Sequence, residues 1–464
     1  MAILSVCLIS IGKNFTVVDL AISQEIFQKD EGFSKEQIGS IFAGGLTFSI
    51  FGKILGGFCT DTFGGRFTCL LGMLLYVITT ALIPMLHHGS PFVYYLSLYG
   101  INCLSNYGIM GVARIALATN WTPHSYLARF TSFVAMTTDL GDATCRLILA
   151  PFLPHGWRAV FQAAAAFAFL TGAPLFFIGD APKNSDETIQ KGKEIAKKME
   201  EGSPKISFWA KLKPLLSNMS FYALLVLSGV LYSTRALFVT YTTSFLALVY
   251  CRDQVAGAEC LESSETLAAT AQASSAFTLF GCMSPLIIGV IQDSLPRRHR
   301  ALPQVIFMVP LTISLCVLTL RADAASYAEA VILVTVAGIC LAGPMKVVSN
   351  VFAVDMGGKD AKGTALTLVG IINNLFGSLI IVLKGIIGND WTAMFKVLSA
   401  MSVVAIVFIS YIWMKDLKKA KVSLIPEEAG LSPESESLLS SSLSLAEKRA
   451  SEKHESFVEH SFRE

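Results

Sequence analysis

Apolar runs of about 20 residues recur along this chain, and each is long enough to cross a bilayer as a helix. In hydrocarbon every backbone N–H and C=O must find its partner inside the protein, so runs of this length can only be spanning helices. Twelve are read, at 1–22, 38–60, 67–87, 92–119, 130–152, 158–178, 219–249, 265–291, 302–321, 328–352, 363–386 and 393–414. Charged residues make up 15% of the chain, against about 25% in soluble domains. The first run starts at Met1, without a polar leader and without a small-residue cleavage site before Lys13, and is read as a span and not a signal peptide.

The halves resemble each other. Gly57-x-x-x-Asp61 follows the second run and leads into Gly64-Gly65-Arg66; Gly289-x-x-x-Asp293 follows the eighth and leads to Arg297 and Arg298. The two aspartates are 232 residues apart, and so are Arg114 in the fourth run and Lys346 in the tenth. Two matches at one offset predict an all-α membrane protein of twelve transmembrane helices in two pseudo-symmetric six-helix bundles, the arrangement that rocks around a central site. The bundles are placed at 1–178 and 218–414, joined by a cytosolic linker, 179–217, and followed by a disordered cytosolic tail, 415–464.

Lysine and arginine crowd the linker, the loop with Arg297, Arg298 and Arg300, and the start of the tail, which places those segments on the cytosolic side. Within the linker, 187–201 is read as a surface amphipathic helix. The opposite side carries Cys251 and Cys260 in one loop, a disulfide candidate in an oxidising compartment. In the tail, Glu434, Leu438 and Leu439 form an acidic dileucine pattern, which would bring sorting adaptors and an endolysosomal or vacuolar address; otherwise the plasma membrane or endoplasmic reticulum is expected. The other cysteines show no metal-type spacing, no basic aromatic patch suggests nucleic acid, and no nucleophile–base constellation suggests an enzyme. Neither a cofactor nor a metal is expected.

A charge inside a span usually faces a water-filled cavity or a partner. Lys13 and Arg235 sit mid-span in matching helices of the two halves. Either they hold an anionic substrate between them, or they pair with span acids such as Asp19 or Asp139. Tyr232 and Thr242 share Arg235's helical face by spacing and are read as substrate contacts or as polar packing. Asp139, Asp142 and Arg146 share a face of span five, as a self-neutralising group or as the carrier of a coupled proton. Asp61 with Arg114, and Asp293 with Lys346, are candidate gating pairs at the cytosolic face. Asn374, beside Asn373 in span eleven, lines the cavity or packs helices.

The Gly57-x-x-x-Asp61-x-x-Gly64-Gly65-Arg66 run resembles the signature loop between helices two and three of the major facilitator superfamily. Within it, Lys13-Asn14-Phe15-Thr16, Gly32-Phe33-Ser34, Arg235 and Trp157-Arg158 are most similar to organophosphate:phosphate antiporters, the glycerol-3-phosphate and sugar-phosphate group. Gly12 stands where that group has a first-helix arginine, Thr138 about where a substrate histidine stands, and Asp142 and Arg146 replace a glycine-rich segment. The resemblance implies secondary active transport by alternating access, with Lys13, Arg235 and Thr138 at the substrate and phosphate as a coupling ion. Alternatives are a proton-coupled symporter or uniporter of a small organic solute, and a non-transporting receptor or scaffold. The expected partners are a small molecule and the lipid bilayer. Replacing Leu438 and Leu439 with alanine is expected to move the protein to the cell surface, read by immunofluorescence of fixed cells.

Overall fold

Once each span must satisfy its own backbone, glycines, prolines and polar side chains decide where the rods break and touch. The computed structural model describes residues 2–121, 127–179, 213, 215–253, 260, 261, 263–296, 299–357 and 362–429. Among these, every regular element is a helix. The proposed linker helix at 187–201 and the tail residues Glu434, Leu438 and Leu439 lie outside the described residues.

Span one is α1 (Ala2–Gly12) and α2 (Phe15–Glu31), separated by a turn at Lys13 and Asn14. It runs past residue 22, where the sequence reading ended it, because Gln24 to Glu31 continue the helix until Gly32. Gly32 takes φ +74° there, which favours glycine, and its N–H closes the end on the Gln28 carbonyl. Ser34 then opens span two, α3 (Lys35–Phe63), with a reciprocal cap to Gln37. Span three is α4 (Gly65–Leu82), and span four is α5 (Phe92–Cys103), a π-helical turn at Leu104–Ile109, and α6 (Met110–Trp121). Span five is α7 (Leu127–Leu149) and span six α8 (Trp157–Gly172).

Span seven is α9 (Met219–Asp253); span eight is α10 (Ser264–Gly281) with α11 (Ser284–Ser294). Span nine is α12 (Leu302–Arg321). Span ten joins α13 (Tyr327–Lys346), a second π-helical segment at Val347–Phe352, and α14 (Ala353–Gly357). Span eleven is α15 (Lys362–Ile387). Span twelve, α16 (Trp391–Ala429), remains helical through 415–429, which the sequence reading gave to the tail. Lys, Ala and Leu, which lose little on entering a helix, are frequent in that stretch. Among the described residues, ten helices are long and apolar enough to cross a membrane. Spans four and five are not among the ten; they carry Asn102, Asn106 and Arg114, and Asp139, Asp142 and Arg146.

The outer surface is apolar: Phe58, Leu320, Leu379 and Ile386 stand 66–83% exposed, as side chains facing lipid would. Polarity is inside. The two halves meet along three lines: span two on span eleven, span five on span eight, and span one on span seven. Along the first line Ser378 donates to the Ala43 carbonyl at 3.1 Å, Asn374 to Ser49 at 2.5 Å, and Lys53 to the Gly370 carbonyl at 3.0 Å. At one end of the bundle Lys35 bonds Asn389, Gln24 bonds Ser244, and the Gly39 and Gly385 backbones touch. Cys251 and Cys260 form a disulfide there, with Cα atoms 5.7 Å apart. Asp253 beside it accepts from the Tyr327 amide at 2.6 Å.

One approach inside the first half leaves no space at all. A Cβ added to Gly52 would come within 2.1 Å of the Leu104 carbonyl oxygen, and one added to Gly57 would meet nothing within 4 Å. Overpacking of this kind costs about 1–3 kcal/mol. Gly52→Val is therefore expected to lower the unfolding temperature of the detergent-solubilised protein, and Gly57→Ala to leave it unchanged, by fluorescence-monitored melting.

Candidate functional site

The site begins at the break in span one. Residues Lys13 and Asn14 leave the helix, and the freed Lys13 carbonyl accepts from Thr16 at 3.1 Å and from the Asn106 amide. Asn106 lies in the π-helical turn of span four and also donates to Thr16 at 2.8 Å. Asn14 donates to the Thr138 carbonyl of span five at 2.6 Å. Gly141 makes that approach possible, because a Cβ there would sit 2.7 Å from both Asn14 and the Ile11 backbone. The break thus carries three spans to one point and turns the Lys13 side chain inward, 4% exposed. Its ammonium lies 5.5 Å over the ring of Tyr107, a cation–π distance.

Asp139 is the centre. Its carboxylate is fully buried and takes Arg235 of span seven at 2.7 Å and Lys346 of span ten at 3.5 Å. Arg114 of span four reaches inward as well, donating to Thr138 at 2.8 Å and Ser10 at 3.2 Å. Lys13 lies within electrostatic reach of Arg114, Lys346, Asp139 and Arg235. Four cations from spans one, four, seven and ten therefore lie around Asp139, two of them at ion-pair distance, and Asp142 is within electrostatic reach of Arg235. Among the described residues Lys13 has no acid at ion-pair distance, and the buried Arg114 Nε has no acceptor. Tyr107 and Tyr232 lie within electrostatic reach of each other and of Arg235.

Asp142 and Arg146 form a separate pair at 3.5 Å, both nearly inaccessible. Arg146 spends its other donors on the opposite half: Ser274 at 3.0 Å, Thr243 at 3.2 Å and the Val239 carbonyl. It is a clamp between span five and spans seven and eight.

The structure brings together Lys13, Arg235, Tyr232, Thr138, Asp139, Arg114 and Lys346. It does not bring Thr242 with them: that hydroxyl donates to the Phe238 carbonyl and faces an apolar cleft with Phe245, Trp391 and Phe395. Asn374 is 2% exposed and bonds Ser49 across the halves, as a helix-packing amide would. Arg114 and Lys346, expected at the cytosolic gate, point to the bundle centre instead, because Asp139 and Thr138 draw them there. The side chains of their proposed partners Asp61 and Asp293, and all of Arg297 and Arg298, lie outside the described residues. Gly64 makes a left-handed turn at φ +86°, Gly65 lies against the Leu117 backbone, and Arg66 donates to the Phe176 carbonyl at 2.8 Å. Sequence reasoning missed Asn14, Asn106 and Tyr107. The signal for the first two was an amide inside an apolar run, which needs a partner.

Residues 4–381 match the Major Facilitator Superfamily. The chain belongs to that superfamily. It is a multi-pass integral membrane transporter, all-α, and not an enzyme. The fold is shared with the nucleoside transporter NupG (D323A mutant), at TM-score 0.66 and 12% identity, covering 90% of this chain and 100% of that one. The inward-open xylose transporter XylE from E. coli gives TM-score 0.65 and 14% identity, over 87% of this chain and 94% of that one. A POT family transporter in complex with 5-aminolevulinic acid gives 0.65 and 15%, over 89% and 96%. At such identities the likeness concerns the fold alone. No curated protein matches this chain significantly.

Removing one member of a buried ion pair costs about 3–5 kcal/mol, because the other is left charged and unpaired. Arg146→Leu is expected to destabilise the transporter by that order, and adding Asp142→Asn to recover part of the loss, both read by thermal unfolding in detergent.

Proposed function

We propose that this superfamily member carries a small anion by alternating access, most simply a phosphate ester exchanged for inorganic phosphate. One observation carries the reading: Arg235 and Lys346 pair with Asp139, and Lys13 and Arg114 lie within electrostatic reach of the same carboxylate. Two unit charges 4 Å apart repel by about 4 kcal/mol even at an effective dielectric constant of about 20. A site of this composition is therefore short of negative charge, and an anion supplies it. Arg235 and Arg114 offer forked donors suited to phosphate or carboxylate oxygens, and Lys13 and Lys346 act as point charges. Tyr107 and Tyr232 offer ring faces and hydroxyls to the substrate's body. The resemblance of Lys13-Asn14-Phe15-Thr16 and Arg235 to the organophosphate:phosphate antiporters supports the same substrate class.

In this reading 1–178 and 218–414 are the rocking bundles, and the seam at Lys35, Gln24, Gly39 and Gly385 is the gate at the disulfide end. Asp61, Asp293 and the glycine loop serve the opposite gate. A second reading, proton-coupled carriage of a small organic solute, is favoured by Asp19 of span one. This carboxylate is 1% exposed; one oxygen accepts from the Leu20 amide at 2.6 Å and the other has no partner among the described residues. Asp139 and Asp142, the acids first read as proton carriers, both have cations beside them.

The test is uptake of labelled phosphate and glycerol 3-phosphate into liposomes loaded with phosphate, with Arg235→Ala beside the wild type. Exchange that requires internal phosphate and falls at least a hundredfold in the variant is expected. Folded protein that exchanges neither anion overturns the reading; accumulation of neutral solutes driven only by a pH gradient would establish the second one.

A further inference from the structure

The contact that holds the centre of the bundle together is also the one an anionic substrate has to break. Asp139 Oδ1 serves Arg235 at 2.7 Å and Lys346 at 3.5 Å, while Oδ2 is buried without a hydrogen-bond partner among the described residues. Among the described residues Arg114 bonds only the hydroxyls of Thr138 and Ser10, its Nε has no acceptor, and Lys13 has an aromatic face and no acid at ion-pair distance. A single carboxylate fixed to span five thus occupies two of the four cations and leaves the other two without a strong partner. A tetrahedral anion has enough oxygens, pointing in enough directions, to serve all four.

We infer that Asp139 is a tethered stand-in for the substrate anion, which competes with it for Arg235 and Lys346 and is displaced when a doubly charged anion binds. The inference rests on the anion reading above and deepens it in two respects. It makes Lys346 a substrate ligand that Asp139 masks. It also sets the charge of the substrate. Asp142 and Arg146 cancel, so with all four bases protonated the cations and Asp139 leave three positive charges, which two negative charges offset better than one. Because Asp139 belongs to the first half and Arg235 and Lys346 to the second, displacement removes two ion pairs that cross between the halves. Binding would then loosen the centre of the interface while the Arg146 clamp on Ser274 and Thr243 stays in place.

The measurement is equilibrium binding of inorganic phosphate by titration calorimetry to purified wild type, Asp139→Asn, Lys346→Gln and the double variant in lipid nanodiscs. Removing the competitor is expected to tighten phosphate binding about tenfold or more. Lys346→Gln is expected to cost more affinity in the Asp139→Asn background than in the wild type, where that lysine is already occupied; such non-additivity is the mark of a shared partner. Sulfate is expected to displace bound phosphate, and methanesulfonate, of similar shape with one charge, to displace much less at equal concentration. Phosphate that binds the wild type but binds Asp139→Asn equally or more weakly, or strictly additive effects of the two substitutions, overturns the displacement and leaves the anion reading standing. Equal competition by sulfate and methanesulfonate overturns the charge assignment. No phosphate binding to any folded form overturns both. Should Asp139→Asn fail to fold, infrared difference spectra of wild type labelled with carbon-13 aspartate decide: a carboxylate band shifted by phosphate supports displacement, and its absence overturns it.

Discussion

Cations buried inside an apolar bundle must be partnered, and most of what is distinctive in this structure follows from how few partners they have. Four spans deliver a lysine or arginine to the centre, and Asp139 pairs with two of them. The pairs at Asp139 cross between the halves, so the same buried charges also hold the halves together at their midpoint. The Arg146 clamp repeats this on a smaller scale, with its charge cancelled locally by Asp142 and its remaining donors given to the opposite half. The first arrangement is under-neutralised and the second is complete. Under-neutralised groups are where a ligand has something to offer.

The fold was legible because the membrane leaves so few options. Twelve apolar runs, a repeated Gly-x-x-x-Asp and an offset of 232 residues suffice for two related bundles. The site was legible in part. Lys13 and Arg235 could be singled out because a mid-span charge always needs a reason. Arg114 and Lys346 were assigned to a gate because sequence gives height along a helix only approximately, and long basic side chains reach well beyond their own turn. Their direction depends on acceptors supplied by span five, which no local pattern reveals. Thr242 was placed with Arg235 by helical spacing, but its hydroxyl closes on its own backbone and its face looks toward Trp391.

The break at Lys13 and Asn14 shows how local chemistry overrides helix periodicity. The turn at Lys13 and Asn14 leaves the Lys13 carbonyl without its helical partner, and Asn106 and Thr16 donate to it instead. The break then persists because it is paired from outside the segment. Gly141 and Asn14 fix span five against it, so the position of Asp139 is tied to the geometry of span one although the two residues are far apart in sequence.

Two π-helical turns flank the cations, one five residues before Arg114 and the other directly after Lys346. Such a turn holds one residue more than the α-helix on either side of it. If that surplus migrates along the rod by a turn, the residues it passes swing by about 100° around the helix axis, since 3.6 residues make a full circle. Spans four and ten thus each carry a built-in swivel next to a charged side chain. Such a shift of register would re-aim Arg114 and Lys346 without unwinding either helix and without moving its ends through the lipid.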